Sequence, residues 1–262
     1  MVEMTKKYKI GTRRFGLINW VGAWTLYKKE VLRFLIVWVQ TIFSPLISSL
    51  LFLLVLSLAI GNERGEVLGV PFIIFLAPGL IAMQVIQQSF SHSSSSFMIG
   101  KIQGNIVDLL YAPLSAAEVT ISVCLAAVTR SFMIAFVSIV VFYFMIDIQI
   151  KHFFTLILFT FLSSFILGNI GTIAGLWAEK FDHMASVTNF VIVPLSFLSG
   201  TFYTIDRLPG FLKTISEANP FFYMIDGFRY SFIGNADGSI KIGIIYLTIL
   251  SFLSWLATYI LF

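Results

Sequence analysis

Charge is scarce in this 262-residue chain: 11% of its residues are Asp, Glu, Lys or Arg, against roughly a quarter in soluble proteins. Together with 58% hydrophobic residues, that deficit excludes a disordered chain and argues against a soluble globular domain. Cysteine occurs once, at Cys124 inside an apolar block. An internal disulfide and a cysteine metal site are therefore excluded, and the redox compartment is not legible. The chain has no G-x-x-x-x-G-K-[ST] loop, no H-E-x-x-H and no G-x-S-x-G. Those absences remove nucleotide-phosphate cradling, zincin and serine-hydrolase chemistry of those kinds. His92, His152 and His183 are widely separated and predicted in loops on different sides, which speaks against a metal site or histidine catalysis.

What is present is apolar sequence in long blocks, each able to cross a hydrocarbon core of roughly 30 Å as a helix. Six spans are predicted, at Val37–Ile60, Val70–Phe90, Val119–Ile146, Phe153–Trp177, Ala185–Ile205 and Ile242–Phe262. The strict polar–apolar alternation of a membrane β-barrel is missing. A cleavable signal peptide is not expected, because the first apolar block follows a long polar region and exceeds the length of an h-region.

The chain carries 17 Lys+Arg against 13 Asp+Glu. Much of the basic excess is N-terminal: Lys6, Lys7, Lys9, Arg13, Arg14, Lys28, Lys29 and Arg33. In a membrane protein such a cluster is an anchor on anionic lipid, not a nucleic-acid site. Lys101 and Lys180 mark loops on the same side, while the opposite short loops carry only Arg64 and Lys151. The positive-inside rule then places both termini in the cytoplasm. Leu17–Leu35 reads as an amphipathic interfacial helix. Leu17, Trp20, Val21, Trp24, Tyr27 and Val31 form its apolar face, and Asn19, Lys29, Glu30 and Arg33 fall opposite.

The predicted cytoplasmic loop Ser91–Glu118 opens with the serine run Ser93–Ser96, read either as a hinge or as the end of the second span. Ile106, Leu109 and Leu110 then form one face of a short helix that ends before Pro113. The outer segment 206–241 carries a helical stripe of Phe211, Leu212 and Ile215, a break at Asn219-Pro220, and a second apolar stretch too short to span. Gly234–Gly238 forms a turn before the last span. Gly168, Gly171 and Gly175 permit close helix approach on the fourth span. Arg130, near the middle of the third span, costs roughly 2.5–3.5 kcal/mol on insertion scales. Either it faces protein or a water-filled pathway, or a shifted helix lets it snorkel to an interface.

One constellation is specific. Leu195-Ser-Phe-Leu-Ser-Gly200-Thr-Phe202 is followed by Leu208-Pro209, by Asn219-Pro220-Phe-Phe-Tyr223, and by Asp226 and Arg229. This run resembles the signature of ABC-2 type exporter permeases. Gly104-Asn-Ile106-Val-Asp108-Leu109-Leu110-Tyr-Ala-Pro113 is similar to that family's coupling segment, where many members have G-T-x-E in place of G-N-I-x-D. The resemblance covers nearly the whole chain. It implies a single transmembrane domain over residues 1–262, with a cytoplasmic amphipathic N-terminus at 1–36 and a six-span bundle at 37–262. The implied fold is an all-α integral membrane protein with an outer re-entrant helical segment between spans five and six.

The implied function is a half-transporter, not an enzyme, in a bacterial inner membrane. It would pair with itself or a related permease and with a separate ATP-binding cassette ATPase carrying ATP and Mg, this chain holding no cofactor. In such exporters the coupling segment passes the ATPase stroke to the spans. Substrates of the family include polysaccharides, glycolipids, drugs and other hydrophobic compounds. Two other classes are less consistent with the sequence. A secondary transporter would hold coupling carboxylates inside its spans, whereas all the acidic residues here fall at predicted span ends, in loops or near the N-terminus. A membrane enzyme would need a paired His/Asp or Ser/His arrangement, and none stands out.

Overall fold

The computed structural model describes residues 16, 18–146 and 148–262, the side chains of 60–64 excepted. The basic residues Lys6, Lys7, Lys9, Arg13 and Arg14, and Leu17, lie outside the described residues. The chain is almost wholly helical. Helix α1 is Trp20–Ile36; α2 is Ser44–Arg64, entered through a wide π turn at Val39–Phe43; α3 is Phe72–Ile102; α4 is Ile106–Tyr111; and α5 is Ala116–Ile146. Then follow α6 at Phe153–Trp177, α7 at Phe181–Val187, α8 at Val193–Leu198, α9 at Gly210–Ala218, α10 at Pro220–Ile233 and α11 at Ile240–Leu261. A two-residue hairpin, β1 at Glu66–Val67 and β2 at Val70–Pro71, joins α2 to α3.

Among the described residues, six helical stretches are long and apolar enough to cross a membrane: Val39–Ala59, Phe72–Ile102, Ala116–Ile146, Phe153–Trp177, Phe181–Leu198 and Ile240–Leu261. The second is the core of the bundle, 78% buried, whereas the first is 28% and the fifth and sixth are each 17% buried. Helix α3 is packed between α5 and α6, with α10 against its first turns.

Two features depart from the sequence reading. The second span does not end at Phe90 but runs on to Ile102, and the serine run lies inside it. Ser93 and Ser94 are fully buried there, because their small side chains let α6 approach and the Ser94 hydroxyl folds back to donate to Phe90 O at 2.8 Å. His92, expected in a loop, is buried on the same helix. The fifth span begins earlier, at Phe181, and ends at Leu198 instead of Ile205, with a π turn at Thr188–Ile192 joining α7 to α8.

On α1, Asn19, Glu30 and Arg33 turn into the bundle, while Trp20, Val21 and Trp24 are 73, 74 and 63% exposed. Specific partners hold it there. The Arg33 guanidinium donates to Glu30 Oε2 at 2.9 Å and to His92 O at 2.9 Å, and Tyr27 shares a hydrogen bond of 2.8 Å with Thr129. The buried side of α1 is therefore mixed, with Leu26 and Phe34 packed beside Glu30.

The α3–α6 contact depends on glycine. A Cβ on Gly171 would lie 2.5 Å from Phe90 O, and one on Gly175 would lie 2.7 Å from Ser94 O. Gly171→Ala is therefore expected to destabilise the protein by roughly 1–3 kcal/mol through overpacking. Gly100→Ala, whose Cβ would meet nothing closer than 3.8 Å, is expected to be neutral or slightly stabilising. Thermal midpoints of the two purified variants in detergent check this, and equal midpoints contradict it.

Candidate functional site

Two polar constellations sit at opposite ends of the bundle. At one end the chain leaves α3, reverses through Gly104 at φ 77°, and makes the short helix α4. Only a residue free of Cβ adopts that backbone readily. The three apolar residues expected to share one face of α4 are divided. Ile106 and Leu109 pack inward against a cluster of Leu26, Phe97, Val119 and Val123, while Leu110 is 64% exposed. The outward face consists of Leu110, Val107 and Tyr111, the last 86% exposed, with Asp108 exposed beside them. Pro113, also exposed, follows α4, and its carbonyl accepts from Asn19 Nδ2 at 3.1 Å. A groove of about 720 Å³ separates α4 from α1, lined by Gly22, Leu26 and Lys29 on one side and Asn105, Asp108 and Leu109 on the other.

At the other end, α10 lies buried among α3, α6, α8 and α11. Its 14 residues extend about 21 Å, too short to cross the hydrocarbon. Asn219 starts it. The Asn219 Oδ1 accepts from Phe221 N at 3.1 Å, and its Nδ2 donates to Ser199 Oγ at 2.8 Å. Pro220 occupies the first helical position, where its missing N–H leaves no bond unmade.

Arg229 is 1% exposed. Its Nη2 donates to Gly200 O at 2.7 Å and to Thr201 O at 3.2 Å, and its guanidinium carbon lies 3.9 Å from the Phe75 ring centroid. Gly79 makes room for it, since a Cβ there would stand 2.8 Å from Arg229 Nη2. Gly200 itself has φ 75°. Asp226, one turn before Arg229, accepts from Asp237 N at 3.0 Å and Gly238 N at 2.9 Å, which fixes the turn into α11. Asp237 in turn accepts from Ile205 N at 3.2 Å.

Gly200, Asn219, Asp226 and Arg229 are thus linked through α10 and the strip before α9. Leu208 and Pro209 lie apart from them on the turn into α9, where Leu208 N donates to Ile205 O at 3.0 Å. Tyr223 packs its ring 5.4 Å from that of Tyr246.

Arg130 is 7% exposed and its Nη2 donates to Gln88 Oε1 on α3. The guanidinium turns toward α3 within the bundle. Its Nε has no partner among the described residues.

Sequence reasoning missed Phe75 and Gly79, which complete the Arg229 site from another span, and Glu118 with Asn19, which join α1 to α5. Only the second pair had a local signal. Ser115-Ala-Ala-Glu118 is a capping-box sequence.

Asp237 supplies a pH dependence. Burial, and secondarily the Asp226 carboxylate, push its carboxyl from 3.8 up to about 6. The folded protein therefore binds more protons than the unfolded chain between those values. Stability from this group is full below 3.8 and is lost as the pH rises to about 6. Asp237→Asn keeps an acceptor for Ile205 N and removes the titration. Across that range the wild type is expected to lose thermal midpoint relative to the variant, and a difference independent of pH contradicts the assignment.

Comparison with known proteins bears on both ends. Residues 22–233 match the family model described as ABC-2 type transporter. The inner membrane transport permease YadH of Escherichia coli (strain K12) is 33% identical over 220 residues, covering 84% of this chain and 86% of YadH. Nodulation protein J of Rhizobium leguminosarum bv. viciae is 24% identical over 252 residues, covering 90% of this chain and 91% of that protein. The family match takes in α4 and the whole of α10, and the agreement with YadH runs over most of both chains, so this integral membrane protein belongs to the ABC-2 type transporter family as a transport permease.

Proposed function

We propose that the chain is the permease subunit of an ABC exporter, working as a pair with itself or a related permease and driven by a separate ATP-binding cassette subunit that docks on α4. The observation that carries this reading is the outward face of α4, where Val107, Leu110 and Tyr111 are exposed on a helix whose other face is anchored in the bundle. A six-residue helix whose inner face packs on the bundle transmits a rigid-body movement better than a loop would. The groove between α1 and α4 supplies the adjoining surface for the same partner.

Both termini, α1 and α4 are then cytoplasmic, and α9 and α10 face outward. Spans one, five and six, the least buried of the bundle, leave ample apolar surface for the second permease and for lipid. ATP and Mg belong to the partner. The substrate is read as a polysaccharide, glycolipid, drug or other hydrophobic compound, matching the range of the family.

The docking reading separates the residues of α4 by effect. Leu110→Ala with Tyr111→Ala is expected to weaken co-purification with the cassette subunit by about tenfold or more while thermal stability is kept. Ile106→Ala is expected to lower stability by roughly 1–3 kcal/mol, since Ile106 packs inside. Unchanged co-purification and unchanged transport by the double variant contradict the docking face. Orientation is tested with single cysteines at Gln103 and Asn235, both exposed, in a Cys124→Ser background. An impermeant thiol reagent should reach the first from the cytoplasm and the second from outside.

A further inference from the structure

Glu118 is 7% exposed and holds two helix N-termini with one carboxylate. Its Oε2 accepts from Ser115 N at 2.7 Å and its own N–H donates to Ser115 Oγ at 3.4 Å, a reciprocal capping box at the start of α5. Its Oε1 accepts from Asn19 N at 2.6 Å, the residue that caps α1. Asn19 uses its side chain on both sides of the same joint. Its Oδ1 accepts from Gly22 N at 2.9 Å, and its Nδ2 donates to Pro113 O, just beyond α4, at 3.1 Å. Ser122, one turn along α5, donates to Ala23 O at 3.1 Å.

A carboxylate between two helix N-termini lies where both macrodipoles favour negative charge. Hydrogen bonds to an ionised acceptor are about twice as strong as neutral ones, and leaving buried N–H groups without an acceptor is costly. An amphipathic anchor held only by its lipid-facing Trp20, Val21 and Trp24 would need none of these contacts.

We propose that Glu118 is a positioning residue that locks the start of α1, the end of α4 and the start of α5 into one rigid arm, so that a push on α4 moves α1 with it. This rests on the reading of α4 as the ATPase docking helix. It adds that α1 is a moving part of the permease and that its joint to α4 and the start of α5 stays closed through the transport cycle.

The joint is tested first on the full-length permease alone in lipid nanodiscs. Spin labels at Thr25→Cys and Asp108→Cys, both exposed positions, in a Cys124→Ser background are expected to give one narrow distance. Glu118→Ala should raise the separated population by about tenfold or more. Glu118→Gln, which keeps one acceptor oxygen, should lie between. Asn19→Ala removes the bonds to Pro113 and Gly22 without touching α5, and should broaden the distance in a protein that still inserts. An unchanged distribution in Glu118→Ala and Asn19→Ala overturns the lock.

The second arm uses the complex with its cassette subunit. An Ala23→Cys, Ser122→Cys pair oxidised to a disulfide is expected to leave transport intact, because the joint does not open. Loss of transport restored by reductant overturns the proposal. Glu118→Ala should keep ATP hydrolysis and lose transport per ATP, and unchanged transport per ATP in a variant with a broadened distance also overturns it. Failure of the docking reading has a different signature: the Leu110→Ala, Tyr111→Ala variant would still bind the cassette subunit while the spin-label distances stayed as expected.

Discussion

Where Gly171 and Gly175 cross Phe90 and Ser94, two helix backbones come so close that a methyl group on either glycine would strike a carbonyl oxygen. In lipid the hydrophobic effect does not drive helices together, so association depends on close packing and on hydrogen bonds between helices. That crossing makes α3 and α6 the fixed pair around which α5, α10 and α11 are arranged. It also explains the serine run. Ser93 and Ser94 are small enough to sit under α6, and the Ser94 hydroxyl is satisfied within its own helix.

Once the core is fixed, buried polar groups decide how the remaining elements dock, because none can be left in hydrocarbon without a partner at small cost. Arg229 ties α10 to the chain after α8 through two carbonyls, and it can do so only because α3 offers Gly79 as a gap and Phe75 as a ring face. Arg130 ties α5 to α3 through Gln88. Arg33 ties α1 to α3 through His92 O while holding Glu30 on its own helix. In each case the guanidinium donates to an acceptor from a different part of the sequence.

That last fact sets how much was legible beforehand. Span number and class could be read because hydropathy is a property of contiguous residues, and the fourth span matched to the residue, Phe153–Trp177. The α9–α10 boundary at Asn219-Pro220 was visible as local turn chemistry. The end of the second span was not, since a serine-rich helix and a serine-rich loop look alike until Gly171 and Gly175 are placed against it. The partners of α1 were hidden for a similar reason. Amphipathicity gives a stripe, and only the positions of Glu118, His92 and Thr129 show where protein meets it. On α4, the spacing of Ile106, Leu109 and Leu110 suggested one face, which packing divides: Ile106 and Leu109 turn inward and Leu110 outward.

The two ends of the bundle use the same device. At one, Glu118 accepts backbone N–H bonds from Ser115 and Asn19; at the other, Asp226 accepts them from Asp237 and Gly238. Each carboxylate closes a chain reversal beside a helix that would otherwise end in unsatisfied donors. The ends differ in their surroundings. Asp226 has Asp237 for a neighbour, whose carboxyl is pushed up to about 6, whereas Glu118 lies between two helix N-termini that favour its charge. The join between them is short in elements. Helix α3, 31 residues or about 46 Å long, begins beside Arg229 and ends at the turn into α4. Helix α4 at one end and the buried α10 at the other are therefore held on opposite ends of a single continuous helix, with no intervening loop to absorb a displacement.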